Sequence, residues 1–141
     1  MKTETQVLEQ IRGVIVNVLN GRYEHKQDAW HCGTAACIAG WCQLEDVSTQ
    51  LNKSFADIQL SLTNSDSEVI EGYFNAEEHV LVNIKDRKLD QDIRDFIFAS
   101  NLTIKQIVNG FNKVIARHSI CVSPIIIMPS ITDSNLIKVK V

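Results

Sequence analysis

One short stretch limits the fold more than any other: Trp30-His31-Cys32-Gly33-Thr34-Ala35-Ala36-Cys37-Ile38-Ala39-Gly40-Trp41. Gly33 frees the backbone, so Thr34 is expected to act as an N-cap whose hydroxyl accepts from N–H groups two or three residues on, with a helix starting near Ala35. Cys37 and Trp41 are four apart and share a face of that helix, while Ala36, Ala39 and Gly40 let another backbone come close. A glycine inside a helix costs about 1 kcal/mol relative to alanine, so Gly40 points to close packing rather than to helicity. This helix is expected to be buried, with the rest of the chain built round it.

The flanking sequence supplies amphipathic partners. Thr3 and Gln6 form a capping box, followed by Val7, Leu8, Ile11, Val14, Ile15, Val18 and Leu19 at helical spacing up to Gly21. Residues 21 to 33 read as a polar connection, with Tyr23 and Trp30 folding back over the first two helices. Asp46 to Asn52 is ambiguous. Ser54 could cap a short helix carrying Phe55, Ile58 and Leu62, and Ser65 with Glu68 another carrying Val69, Ile70, Tyr73 and Phe74. Periodicity does not decide between strand and helix for His79 to Ile84. Asp86 to Ser100 reads as a helix through Leu89, Ile93, Phe96 and Ile97. Thr103 and Gln106 cap the next, whose stripe is Ile104, Ile107, Val108, Phe111, Val114 and Ile115; the two are expected to form an antiparallel hairpin.

The character changes after Arg117. Residues 119–141 are rich in Ile and Val, and Leu136 to Val141 alternate enough for a half-exposed strand, with Ile125 to Met128 as its partner across a turn. Such a hairpin is marginal alone and must pack on helices or pair with another chain, so self-association through residues 119–141 is a standing expectation. The fold class read from all this is α+β, mainly α: a single domain of residues 1–141, with a compact helical part (1–117) around the buried motif helix and a C-terminal β-hairpin tail (118–141).

The motif also carries a resemblance. Cys32-Gly33-Thr34, Cys37 and Ala39-Gly40-Trp41 resemble a Cys-Gly-Thr-x-x-Cys-x-Ala-Gly-Trp signature of small uncharacterised proteins from bacteria and their phages, in many of which His stands where this chain has Ala36. Phe55 to Leu62 and Val69 to Phe74 are similar to the helical segments that follow it there. The resemblance covers roughly residues 4 to 75. It brings no activity with it, and is compatible with an accessory or host-interaction role.

Charge and composition narrow the function. The net charge is −3, which leaves no basic footprint for nucleic acid or an anionic membrane. Residues 66 to 95 hold nine acidic and four basic residues, a pattern that reads as a solvated helix surface. The N-terminal residues lead into a polar-faced helix rather than a signal peptide, and no run approaches the ~18 apolar residues of a membrane span. A cytoplasmic protein with reduced cysteines is the expectation.

Three chemistries compete for the motif. Zinc is tempting because His25, His31, Cys32, Cys37 and Cys42 lie within eighteen residues, but Cys37 and Cys42 fall about 140° apart round one helix, and no metal is expected. Cys32 just before a helix N-terminus would feel the positive end of the dipole, making Cys32 or Cys37 a candidate nucleophile with His118, or His79, as base. Cys32 and Cys37 could also form a redox pair if their Cα atoms come within ~7 Å. Against these stands burial: reduced cysteine is among the most buried residue types, so Cys37, Cys42 and Cys121 are expected in the core. The sequence therefore favours a non-enzymatic module without a cofactor that binds a protein or small ligand through Tyr23, His25, Trp30, His31, Cys32 and Thr34. A cysteine-dependent enzyme or redox protein using Cys32, with Cys37 or His118, is the alternative.

Overall fold

Thr3 opens the first helix as expected. Its Oγ1 accepts from the Gln6 N–H at 3.1 Å and Gln6 Oε1 accepts from the Thr3 N–H at 2.9 Å, satisfying two orphan donors at once. Helix α1 (Glu4–Leu19) buries Val7, Leu8, Ile11, Val14 and Ile15 on one face and ends where Gly21 takes φ +76°. The computed structural model describes residues 2–27, 31–32, 35–55, 57, 81, 83–129 and 137–140. Within these it is mainly helical, with four helices.

The motif helix, α2 (Ile38–Leu51), is the buried centre. Residues 37 to 44 are all buried, as the run of small and apolar residues required. Its start departs from expectation. Cys37, not Thr34, is the N-cap, its Sγ accepting from the Gly40 N–H at 3.3 Å, and Ala35–Ala36 are extended instead of helical. The physical reason lies in tertiary pairing: that dipeptide forms a strand whose backbone is shared with two neighbours, which outweighs the helix propensity of alanine. The ambiguous 46–52 segment continues the helix to Asn52, which caps it in the left-handed conformation at φ 53°.

Two further helices form the hairpin. Asp86 caps α3 (Arg87–Ile97), accepting from the N–H groups of Lys88 and Leu89, and Thr103 with Gln106 repeats the capping box at α4 (Ile104–Arg117). Helix α3 stops at Ile97, earlier than the expected Ser100, with Phe98 as its C-cap. Phe96 and Phe111 meet edge to face across the hairpin, 6.5 Å apart. Gly110 sits where a Cβ would lie 2.8 Å from the Phe96 Cβ, so the close approach of the helices depends on its missing side chain.

Helix α1 is tied to both neighbours by polar groups. Lys2 Nζ donates to Gln10 and Asp46, and Gln10 Nε2 donates to the Cys42 carbonyl, Glu45 and Asp46 of α2. Glu4 accepts from the Lys85 and Asp86 N–H groups just before α3.

After α4 the chain turns through Ser119 (φ 50°). Cys121, expected to be buried, is an exposed free thiol, because this turn carries it outside the core before Ile125 re-enters. The Asn112 side chain then holds Ile125 from both ends, accepting from its N–H and donating to its carbonyl at 2.8 Å each. Arg12 donates to the carbonyls of Ser123 and Pro124. From this anchor Ile126–Pro129 (β4) pairs antiparallel with Ile137–Lys140 (β5), Ile126 opposite Lys140. The expected turn at 130–135, the helical features at 58–62 and 65–74, and His79 with Val80 lie outside the described residues. Ser54 Oγ accepts from the Asp57 N–H, and Leu81 is helical.

Candidate functional site

Three two-residue strands assemble in front of the motif helix: β1 (Glu24–His25), β2 (His31–Cys32) and β3 (Ala35–Ala36), in the order β1-β3-β2. The strand β3 runs parallel to β1 and antiparallel to β2, so His25 and His31 flank Ala36 in one cross-strand row, and Glu24 and Cys32 flank Ala35 in the next. Of the residues singled out in the sequence, His25, His31 and Cys32 are therefore brought into one small sheet, with Tyr23 leading into it. Trp30 and Thr34 lie outside the described residues.

The connection is fixed to the core on its inner side. Tyr23 stacks on Trp41 at 4.2 Å between centroids and 10° between planes, and Phe55 meets both rings edge on. The Trp41 indole N–H donates to the Glu24 carbonyl at 2.8 Å, and the Tyr23 hydroxyl donates to Glu45 Oε2 at 2.7 Å. Burial first, then the hydrogen bond and charge of Glu45, push the Tyr23 phenol well above the ordinary tyrosine value, so it stays a donor.

Gln27 closes the arrangement. Its Nε2 donates to the Ile97 carbonyl at the end of α3, while its Oε1 accepts from the Ile38 N–H at the start of α2 and lies 2.9 Å from His25 Nε2. An amide oxygen only accepts, so this contact requires His25 to carry a proton on Nε2. Along the segment Tyr23, His25 and Gln27 are half-buried and Arg22, Glu24 and Lys26 are exposed. A rigid inner row thus presents a charged outer row.

The cysteines take other parts than the nucleophile expectation assigned. Cys37 occupies the helix N-terminus, but it is 4% exposed and its thiol is pushed up by burial, which outweighs the favourable helix-end donors. Cys42 is fully enclosed and is pushed up further, by desolvation and then by Glu45 and Asp46. Cys32 lies in β2, separated from α2 by β3, so it does not stand directly before a helix as expected.

His118, the candidate base, is the C-cap of α4 and bonds Asp92 of α3 at 2.7 Å through Nε2. Arg117 Nη1 reaches the same carboxylate at 3.2 Å. The hydrogen bond from His118, followed by the contacts of Arg117, holds Asp92 below the usual carboxylate range. Asp92 and Arg117 together separate two clefts on the hairpin, one of about 360 Å³ floored by Phe96, Leu102 and Val114, the other of about 510 Å³ beside Lys88 and His118.

Sequence reasoning missed both Gln27 and Asp92. Nothing local marks Gln27, whose partners are 11 and 70 residues away. For Asp92 the only signal was the cationic end of α4, Lys113 to His118, which calls for an acid across the hairpin. Among the described residues no three His, Cys, Asp or Glu side chains are grouped to hold a metal ion, and no helix is long and apolar enough to cross a membrane. Comparison with protein-family models, curated proteins and solved structures finds no match for this chain.

Proposed function

We propose that this protein is a non-enzymatic interaction module that binds a protein or small ligand at the 21–34 connection and the start of the motif helix. The observation that carries the reading is the β1-β3-β2 pairing, which gathers His25, His31 and Cys32 into one sheet against α2 while Gln27 ties the segment to two helix ends. Recognition residues on a connection held by a rigid scaffold are a recurrent way to build a binding surface. The buried, raised thiol of Cys37 and the engagement of His118 with Asp92 support binding over cysteine chemistry.

On this reading the chain is an accessory protein of the bacterial or phage kind whose signature it resembles. It works in the cytoplasm as a single α+β domain, and the C-terminal hairpin is an integral part that offers an open strand edge to a second copy.

The test is a titration of the isotope-labelled full chain with small-molecule and peptide sets, followed by NMR. The reading expects perturbed amides to cluster at Arg22 to Gln27 and Ile38 to Trp41, and to persist in Cys32→Ser. Perturbations that avoid this region, or a turnover that Cys32→Ser abolishes, overturn it.

A further inference from the structure

We propose that the cleft between α3 and α4 is a second binding site, for a small organic anion bearing a phosphate or carboxylate, held by Lys113 and Arg117 over the Phe96 and Leu102 floor. The charges round the cleft differ in how far they are already paired. Asp92 accepts from His118 and Arg117, and Asp95 accepts from Gln91 at 2.8 Å. Three of the last four carbonyls of α4 are also engaged: Val114 accepts from the His118 N–H, Ile115 from Ile120 and Ala116 from Ser119. Asp92 is thus covered by two basic side chains, Asp95 is held by an amide on one oxygen, and the carbonyls of Val114, Ile115 and Ala116 are turned to backbone donors.

The cations are in the opposite condition. Among the described residues the Lys113 and Lys88 side chains have no ionic or hydrogen-bonding partner, and Arg117 is 70% exposed with donors to spare. Lys113 and Arg117 are four apart, so they project from one face of α4 and can close on one anionic group, Arg117 in the forked geometry that suits phosphate and carboxylate. Gln106 and Asn109 continue that face along the cleft and offer amides to the body of the ligand. At about 360 Å³ the cleft lies within the range of small-molecule sites.

Arg117 also forms the wall between the two clefts, because it and Asp92 line both. An anion that draws Arg117 away from Asp92 leaves the carboxylate on His118, so the wall opens without stranding a charge.

The experiment uses the full chain with phenyl phosphate, inorganic phosphate and benzoate as probes and benzyl alcohol as the uncharged control, read by NMR shifts and calorimetry. Phenyl phosphate or benzoate is expected to bind saturably, with shifts confined to the Asp92, Asn109, Lys113 and Arg117 region, while benzyl alcohol has no effect. The stronger of the two organic anions identifies the preferred headgroup, and weaker binding of inorganic phosphate shows that the ligand body contributes. Arg117→Gln and Lys113→Gln are each expected to weaken binding about fivefold, Lys53→Gln to leave it unchanged, and Asp92→Asn, which releases Arg117, to tighten it. Equal binding of benzyl alcohol, shifts scattered over all surface lysines, or unaltered affinity in Arg117→Gln and Lys113→Gln overturns the proposal. Perturbations at Arg22 to Gln27 bear on the other site and leave this one to its own variants.

Discussion

The phenol ring of Tyr23 lies face to face with the indole of Trp41, 4.2 Å away and 10° from parallel, and the indole N–H returns to the backbone of the residue after the tyrosine. The stack therefore joins the connection to the motif helix twice, once through ring area and once through a hydrogen bond. Trp41→Ala removes both, and a loss of about 3–5 kcal/mol is expected in urea unfolding. Tyr23→Phe keeps the stack and loses the hydroxyl's bonds with Glu45 and Asn17, for about 1–2 kcal/mol.

The same tyrosine gives a pH dependence at the alkaline end. Its folded pKa is raised, so its contribution is complete below the unfolded value of about 10 and is lost as pH climbs towards the folded value. Urea midpoints at pH 8 and pH 11 are expected to fall further for the wild type than for Tyr23→Phe.

Asp92 gives the converse at the acid end. His118 first, then Arg117, hold its carboxyl low, so the contribution is present above the ordinary value of about 4 and disappears as pH drops through the folded value. The stability difference between wild type and Asp92→Asn is expected at neutral pH and should vanish under acid conditions, measured by denaturation at matched ionic strength.

Two glycines separate helix propensity from packing. A Cβ added at Gly13 would meet nothing within 4 Å, so Gly13→Ala is expected to stabilise by about 0.5–1 kcal/mol. At Gly110 the added carbon meets the Phe96 Cβ at 2.8 Å, an atom fixed to the backbone of α3. Gly110→Ala is expected to lose about 1–3 kcal/mol net despite the better propensity, because the helices must separate. Thermal melts of the two variants check both signs.

Asn112 is the anchor of the tail. Asn112→Ala leaves the backbone N–H and carbonyl of buried Ile125 without their side-chain partners, a cost of about 1–3 kcal/mol. Faster amide exchange at Ile125 to Ile127, with the helices unaffected, is the expected signature.

What was legible in the sequence is what local chemistry determines. The capping boxes Thr3/Gln6 and Thr103/Gln106 and the stripes of α1, α3 and α4 depend on residues three or four apart, and each stands where the spacing put it. The start of α2 was not legible, because Ala35–Ala36 are good helix formers recruited as a strand by partners at 24–25 and 31–32. With those residues paired, the cap passed to Cys37, a residue type not expected to cap. The Asp92–His118 pair depends on the register of two packed helices, and the exposure of Cys121 on a left-handed turn at Ser119, neither of which leaves a mark in the local pattern.

The central claim is that the cysteine-bearing start of the motif helix is architecture that supports a binding surface. Residue-resolved alkylation of the native protein across pH tests it most directly. The account predicts that Cys121 reacts in the native state, whereas Cys37 and Cys42 resist until the protein unfolds, with no midpoint for Cys37 below the ~8.5 of a free thiol. Rapid native modification of Cys32 or Cys37 with a midpoint well below that value would contradict it and make the thiol the functional group.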